Sequence, residues 1–205
     1  MTKGELMSNC LKLLNENDGQ EIDDSIVSSL DEYKERTTVM IPSINRALNR
    51  LAVMKKLPGK TFTIEYDASQ KSKTIEVSGE LITDLLYVSN VVLFDKDYGM
   101  MDTNVGYFLD GETFILPPLN YDEGYKIFYH PQAVQLKDTD EDTMELPYLD
   151  YILNCIPYFV KADLYEEDNP NVALLARNLF EQYAEAIPTR NLSVMRGTRD
   201  VYNLY

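Results

Sequence analysis

The chain has 205 residues, 44% of them hydrophobic and 26% charged, with 34 acidic against 19 basic side chains and a net charge of −15. This is an ordinary globular composition, with room for one substantial core or two small ones. The acidic balance argues against gripping nucleic acid by neutralising its phosphates, and no apolar run approaches the roughly 18 residues of a membrane-spanning helix.

The opening residues carry acids early and no long apolar core, so they are not expected to form a secretory signal. Thr2-Lys3-Gly4-Glu5 fits a capping box, with Thr2 as N-cap and Glu5 reaching back. Leu6, Cys10, Leu13 and Leu14 follow on one face of a short helix that should stop near Asn17-Asp18-Gly19. A second helical pattern runs from about Asp23 to Lys56, first through Ile26, Leu30 and Tyr33, then through Ile41, Ile44, Leu48 and Leu51, with Ala47 and Met54 beside them. Pro42 predicts two helices or one kinked helix. Asn45, Arg46, Asn49, Arg50, Lys55 and Lys56 read as its solvated face, and Leu57-Pro58-Gly59 ends it.

From Lys60 the period changes to two. Thr61 to Tyr66 and Thr74 to Val77 alternate as strands and read as a hairpin with a longer loop, Asp67 to Lys73. Leu85 to Phe94 is a β-rich run interrupted at Ser89-Asn90, followed by a turn over Asp95 to Gly99. Gly106 to Leu109 and Thr113 to Leu116 form a second hairpin around Asp110-Gly111. Tyr125 to Tyr129 is the last strand, closed by His130-Pro131. Five or six such strands suggest a small antiparallel sheet or sandwich. Leu136 to Glu145 reads as an acidic linker.

Helices then return. Tyr148, Ile152, Cys155, Ile156, Phe159 and Val160 make a broad apolar face, with Pro147 suited to the first turn and Pro157 predicting a kink or break. After the acidic turn at Glu166-Glu167-Asp168, Asn169-Pro170 supplies an N-cap and a first-turn proline. Val172, Leu175, Ala176, Leu179, Phe180, Tyr183 and Ile187 then recur at helical steps. The chain is thus read as α+β: a helical bundle from residues 1–58 and 146–187, an inserted small antiparallel β unit over 59–137, and an extended C-terminal arm over 188–205. The arm has three arginines against one aspartate, a net of +2, so the first 187 residues carry −17. It is rich in apolar residues for a free tail. Either it docks on another surface, as by adding a strand, or it is a strand of its own domain.

Chemistry-bearing motifs are nearly absent. There is no nucleophile elbow, His-Glu-x-x-His, Cys-x-x-Cys or phosphate loop, and no cofactor is expected. His130, the single histidine, lies at a strand end and reads as structural. Asp138, Asp140 and Asp142 open like a calcium loop, but Thr143 and Leu149 stand where glycine and glutamate are needed, so no metal is expected. Cys10 and Cys155 read as buried free thiols. Fifteen tyrosines without a tryptophan suit core filling and also protein interfaces.

Three stretches together resemble head-to-tail adaptors of tailed bacteriophages: DEYKERTTVMIPSINRALNRL, GETFILPPLNYDEGYKIFYHP, and LPYLDYILNCIPYFVKADLYEEDNPNVALLARNLFEQYAEAI. The resemblance implies a non-enzymatic connector at the head-tail junction of the virion, assembled in the host cytoplasm. Such a protein forms a ring of neighbouring copies, twelvefold like the portal protein it docks on, extends the DNA channel toward a downstream tail or neck protein, and lets DNA pass without specific binding. On this view the arm carries the partner contacts, through Arg190, Leu192, Met195, Arg196, Arg199, Val201, Tyr202, Leu204 and Tyr205. The alternative is an acidic protein-binding module, either a DNA mimic or a chaperone-like protein.

Overall fold

The computed structural model describes residues 1–15, 34–66, 73–78, 80–95, 99–110, 113–119 and 123–189. Among the sequence expectations, the helix stop at Asn17-Asp18-Gly19, the helical residues Ile26, Leu30 and Tyr33, the loop residues 67–72, the corner glycine Gly111, and the arm from Arg190 onward lie outside these residues. The fold is α+β and divides into two units: Met1–Pro58 with Gln132–Arg190, which is helical, and a second whose described part, Gly59–Pro131, is β.

In the helical unit, helix α1 spans Lys3–Asn15. Its capping box is formed: the Thr2 amide donates to Glu5 Oε2 at 2.7 Å, and the Glu5 amide donates to Thr2 Oγ1 at 3.2 Å. Leu6, Met7, Cys10 and Leu11 are its buried face, while Leu13 and Leu14, placed on the stripe by the sequence, are half-buried. The face is made of adjacent pairs one turn apart. Helix α2 spans Lys34–Val53 as one element with Pro42 inside it, so of the two arrangements expected there it is one helix and not two. Pro42 removes one backbone donor and is exposed, so its ring has solvent to turn toward. Lys55 then adopts a left-handed φ of 61°, with the Lys56 amide bonded to the Leu51 carbonyl and the Lys55 amide to that of Ala52, both at 2.9 Å. That pair of bonds is a Schellman stop.

Past the β unit, helix α3 spans Asp150–Leu153 and helix α4 spans Ile156–Leu164. The break expected at Pro157 falls at Asn154-Cys155, because Pro157 takes the first turn of α4, where no amide hydrogen is needed. Pro147 lies before α3 rather than in its first turn. Helix α5 spans Pro170–Ala186, and the Asn169 side chain caps it by accepting from the Val172 amide. Helix α4 packs against α1, α2 and α5, so the closing hairpin buries the N-terminal helices on one core containing Leu6, Met40, Ile44, Leu48, Ile152, Ile156, Val160 and Phe180.

Two corrections concern the polar parts of this unit. Of the expected solvated face of α2, Arg46, Asn49, Arg50 and Lys55 are exposed, but Asn45 is half-buried and several of these side chains also tie other segments down. Asn45 brackets Leu136, donating to its carbonyl at 2.9 Å and accepting from its amide at 2.8 Å. Asn49 accepts from Gln135, Arg46 pairs with Asp163 and Arg50 with Glu181. Consequently the chain rejoins the helical unit at Gln132, not after residue 137, with Ala133 and Leu136 inside the core. The acidic segment 136–145 is also not a free linker. It lies along the start of α1, where the Lys3 amide bonds to the Met144 carbonyl, the Gly4 amide to that of Asp142, and Lys3 Nζ to that of Asp140 at 2.6 Å. Burying Lys3 among these oxygens satisfies a charge that would be costly alone.

Among its described residues the β unit holds seven strands: β1 Lys60–Glu65, β2 Ile75–Val77, β3 Leu85–Asp95, β4 Gly99–Asn104, β5 Phe108–Asp110, β6 Thr113–Leu116 and β7 Glu123–Pro131. They form two antiparallel sheets, ordered β1-β7-β3-β4 and β2-β6-β5. The expected hairpin of the first two strands does not exist: β1 pairs with β7 and β2 with β6, in different sheets. Both have apolar alternation, which fixes a buried face but not a partner. The Ser89-Asn90 interruption is a shift of register within a continuous β3, between Val88 and Asn90. The β5-β6 hairpin forms as expected, with Asp110 opposite Thr113. One core joins the sheets through Ile75, Val77, Phe114, Leu116, Val91 and Ile127.

Candidate functional site

The tyrosines are used in two ways. Three anchor backbone: Tyr148 Oη accepts from the Val134 amide at 2.8 Å, Tyr165 Oη donates to the Leu14 carbonyl at 3.3 Å, and Tyr125 Oη donates to that of Pro117 at 3.1 Å. Tyr129 Oη donates to Asp84 Oδ1 at 3.0 Å, and Lys60 Nζ reaches the other oxygen of that carboxylate. Burial and the neighbouring Asp84 push the Tyr129 hydroxyl up to about 12. Partial burial lifts Asp84, but the bonds from Lys60 and Tyr129 outweigh it and hold the carboxyl below its ordinary value.

A second set is presented outward. Tyr158 of α4 and Tyr183 of α5 stack with ring centroids 5.1 Å apart. With Tyr151, Asn154, Cys155 and Pro188 they line a groove of about 380 Å³ at the C-terminal end of α5. Cys155 is buried beneath it, its thiol pushed up to about 12 by desolvation, so it is inert as a nucleophile.

Helix α5 supplies Tyr183 and Ala186 to this groove. The sequence places Val172, Leu175, Ala176, Leu179, Phe180, Tyr183 and Ile187 on one buried face. The observed core face is Ala173, Ala176, Phe180, Ala184 and Ile187, so the buried stripe is rotated toward the alanines. Leu175 and Tyr183 are exposed, Leu179 between them is half-buried, and so is Val172, one turn before Leu175. Alanines let α5 lie close to α4, and that close packing excludes the larger residues. A strip of large apolar side chains therefore runs along α5 into the tyrosine groove. No simple periodicity count could find it, because leucine outscores alanine as a core residue.

The end of α5 is held by Lys56, whose Nζ donates to the Ile187 carbonyl at 2.7 Å and to Thr189 Oγ1 at 3.2 Å. A cation there also meets the negative end of the helix. Pro188 and Thr189, assigned to the arm from the sequence, therefore stay on the body. Arg190, Leu192, Met195, Arg196, Arg199, Val201, Tyr202, Leu204 and Tyr205 lie outside the described residues.

His130 is buried in β7 and stacked on Tyr87, with centroids 4.9 Å apart. The Asp140 carboxylate accepts from the Lys137 amide, the Asp142 carboxylate faces Lys3, and Glu166 faces Arg177. Among the described residues no group of three or more His, Cys, Asp or Glu side chains could hold a metal ion, and no helix is long and apolar enough to cross a membrane. Comparison of the sequence with protein-family models and with curated proteins gives no match.

Proposed function

We propose that this chain is a structural adaptor of a tailed-phage virion, docking as a ring beneath the portal and extending the DNA channel toward the tail. The observation that carries the proposal is the inverted face of α5, where alanines are buried and Leu175 and Tyr183 lie outward. Such a face is a surface for another protein. An acidic body lining the channel would not hold passing DNA. The ring would use two different surfaces of each subunit.

The acidic-module alternative requires free acids on one continuous surface. Here Asp163, Glu181, Asp84, Asp142 and Glu166 each face a basic side chain of the same unit, which disfavours a nucleic-acid mimic. The test is to mix the chain with purified portal rings of the same phage and view the product by electron microscopy. A coaxial ring of added density supports the adaptor. Failure to associate, together with tight, salt-sensitive one-to-one binding to a basic protein, supports the module.

A further inference from the structure

We propose that residues 190–205 pack over the four-stranded sheet of their own chain and cover the face on which Val92 stands. The inference goes beyond the adaptor reading and does not rest on it.

Val92 is 1% exposed, yet it belongs to neither apolar core. Side chains alternate across a strand, so Val91 and Leu93 point to the core shared with the second sheet and Val92 points to the opposite face. The register sets Lys126 of β7 and Asn104 of β4 to either side of it. Along the same face Phe94 pairs with Gly124, Asn90 with Phe128 and Tyr87 with His130. An antiparallel sheet with one face in a core commonly leaves the other polar and solvated. This face instead carries Tyr87, Val92, Phe94 and Phe128. Strand neighbours stand beside a side chain and not above it, because side chains rise perpendicular to the sheet. Burial to 1% therefore requires a covering layer, and it holds in the single chain, without a second copy.

The described strands of the β unit do not supply that layer. β2, β5 and β6 form the second sheet, and Ile82 and Leu119 of the connecting segments belong to the core between the sheets. The elements packed along β3 and β7 are strands of their own sheet. Elimination then selects the cover. Residues 67–72 lead from β1 to β2 in the second sheet, 111–112 join two strands of that sheet, and 120–122 lead from Leu119 to β7. Residues 96–98 join the paired Asp95 and Gly99, and Gly79 is a single residue. Residues 16–33 are tied at both ends to α1 and α2 of the helical unit. Residues 190–205 join no second described element. Extended, they span up to about 50 Å, more than the eleven residues of β3 at about 3.4 Å each. Leu192 and Val194, two positions apart, share one side of an extended chain and can meet Val92, Phe94 and Phe128.

The test uses full-length chains. Lys126→Cys, beside Val92, and Val194→Cys are placed in one chain and treated with a short bis-maleimide in a mixture of isotopically heavy and light copies; native Cys10 and Cys155 are buried and do not compete. Linkage inside single chains is expected, well above that from a control with Val39→Cys, an exposed position on α2, in place of Lys126→Cys. In parallel, the thiol of Val92→Cys is expected to react with a maleimide at least about tenfold faster once Leu192→Asp and Val194→Asp are added to the same chain. Linkage no better than the control, linkage only between heavy and light copies, or equal reaction rates with and without the two aspartates overturns the proposal. None of these results bears on the adaptor reading, because portal docking is read separately from added ring density.

Discussion

Leu175 and Ala176 are neighbours in sequence and opposites in environment: Ala176 is 3% exposed and Leu175 is 62% exposed. Enlarging the first and shrinking the second should therefore have unequal effects. Ala176→Leu forces α5 off α4 and is expected to cost about 1–3 kcal/mol of stability. Leu175→Ala is expected to stay within about 0.5 kcal/mol of the parent. Urea unfolding midpoints of the two variants measure this directly. Equal losses would mean that Leu175 is packed.

Gly124 of β7 faces Phe94 and β1. A Cβ there would stand 2.4 Å from the Phe94 ring and 2.8 Å from the Ile64 carbonyl oxygen. The ring can rotate away, but the backbone oxygen is fixed by pairing with β1. Gly124→Ala should destabilise the β unit by about 1–3 kcal/mol, read as a lowered urea midpoint. An unchanged midpoint would show that the two strands separate more easily than their register implies.

The contact of Tyr129 with Asp84 gives the β unit two pH limits. Tyr129 titrates higher folded than unfolded, at about 12 against an ordinary 10, so its stabilisation is complete below the unfolded value and is lost as pH rises from there through the folded value. Asp84 titrates lower folded than unfolded, so its contribution is present above the ordinary carboxylate value and disappears as pH falls through the depressed one. Tyr129→Phe should lower stability at neutral pH and flatten the decline on the alkaline side. Stability measured by urea at intervals from pH 8 to about 12 checks both parts. A parent and a variant that decline in parallel would contradict the assignment.

Lys55 ends α2 in a left-handed conformation that costs an L residue about 1 kcal/mol and glycine little. Lys55→Gly is therefore expected to raise stability of the helical unit by about 0.5–1 kcal/mol, with its Schellman bonds intact. Loss of stability would mean that the lysine side chain contributes more than its backbone strain removes.

Local signals were the legible ones. The capping box at Thr2, the Asn169-Pro170 start of α5 and the β5-β6 hairpin each depend on residues a few positions apart, and each is formed. Partners far along the chain were not legible. Thr61 to Tyr66 pairs with a strand more than fifty residues away, which no alternation pattern specifies. Polar side chains also look the same in sequence whether they meet water or backbone. Thus Asn45 read as solvated, though it holds Leu136. The outward strip of α5 was hidden because hydrophobicity ranks leucine above alanine, whereas close helix approach ranks them in reverse.

Electron cryomicroscopy of intact particles tests the adaptor proposal most directly. The account predicts a ring of this fold at the portal vertex, with the Leu175 side of α5 covered by another protein surface. Particles with no copy of the chain at that vertex would contradict it.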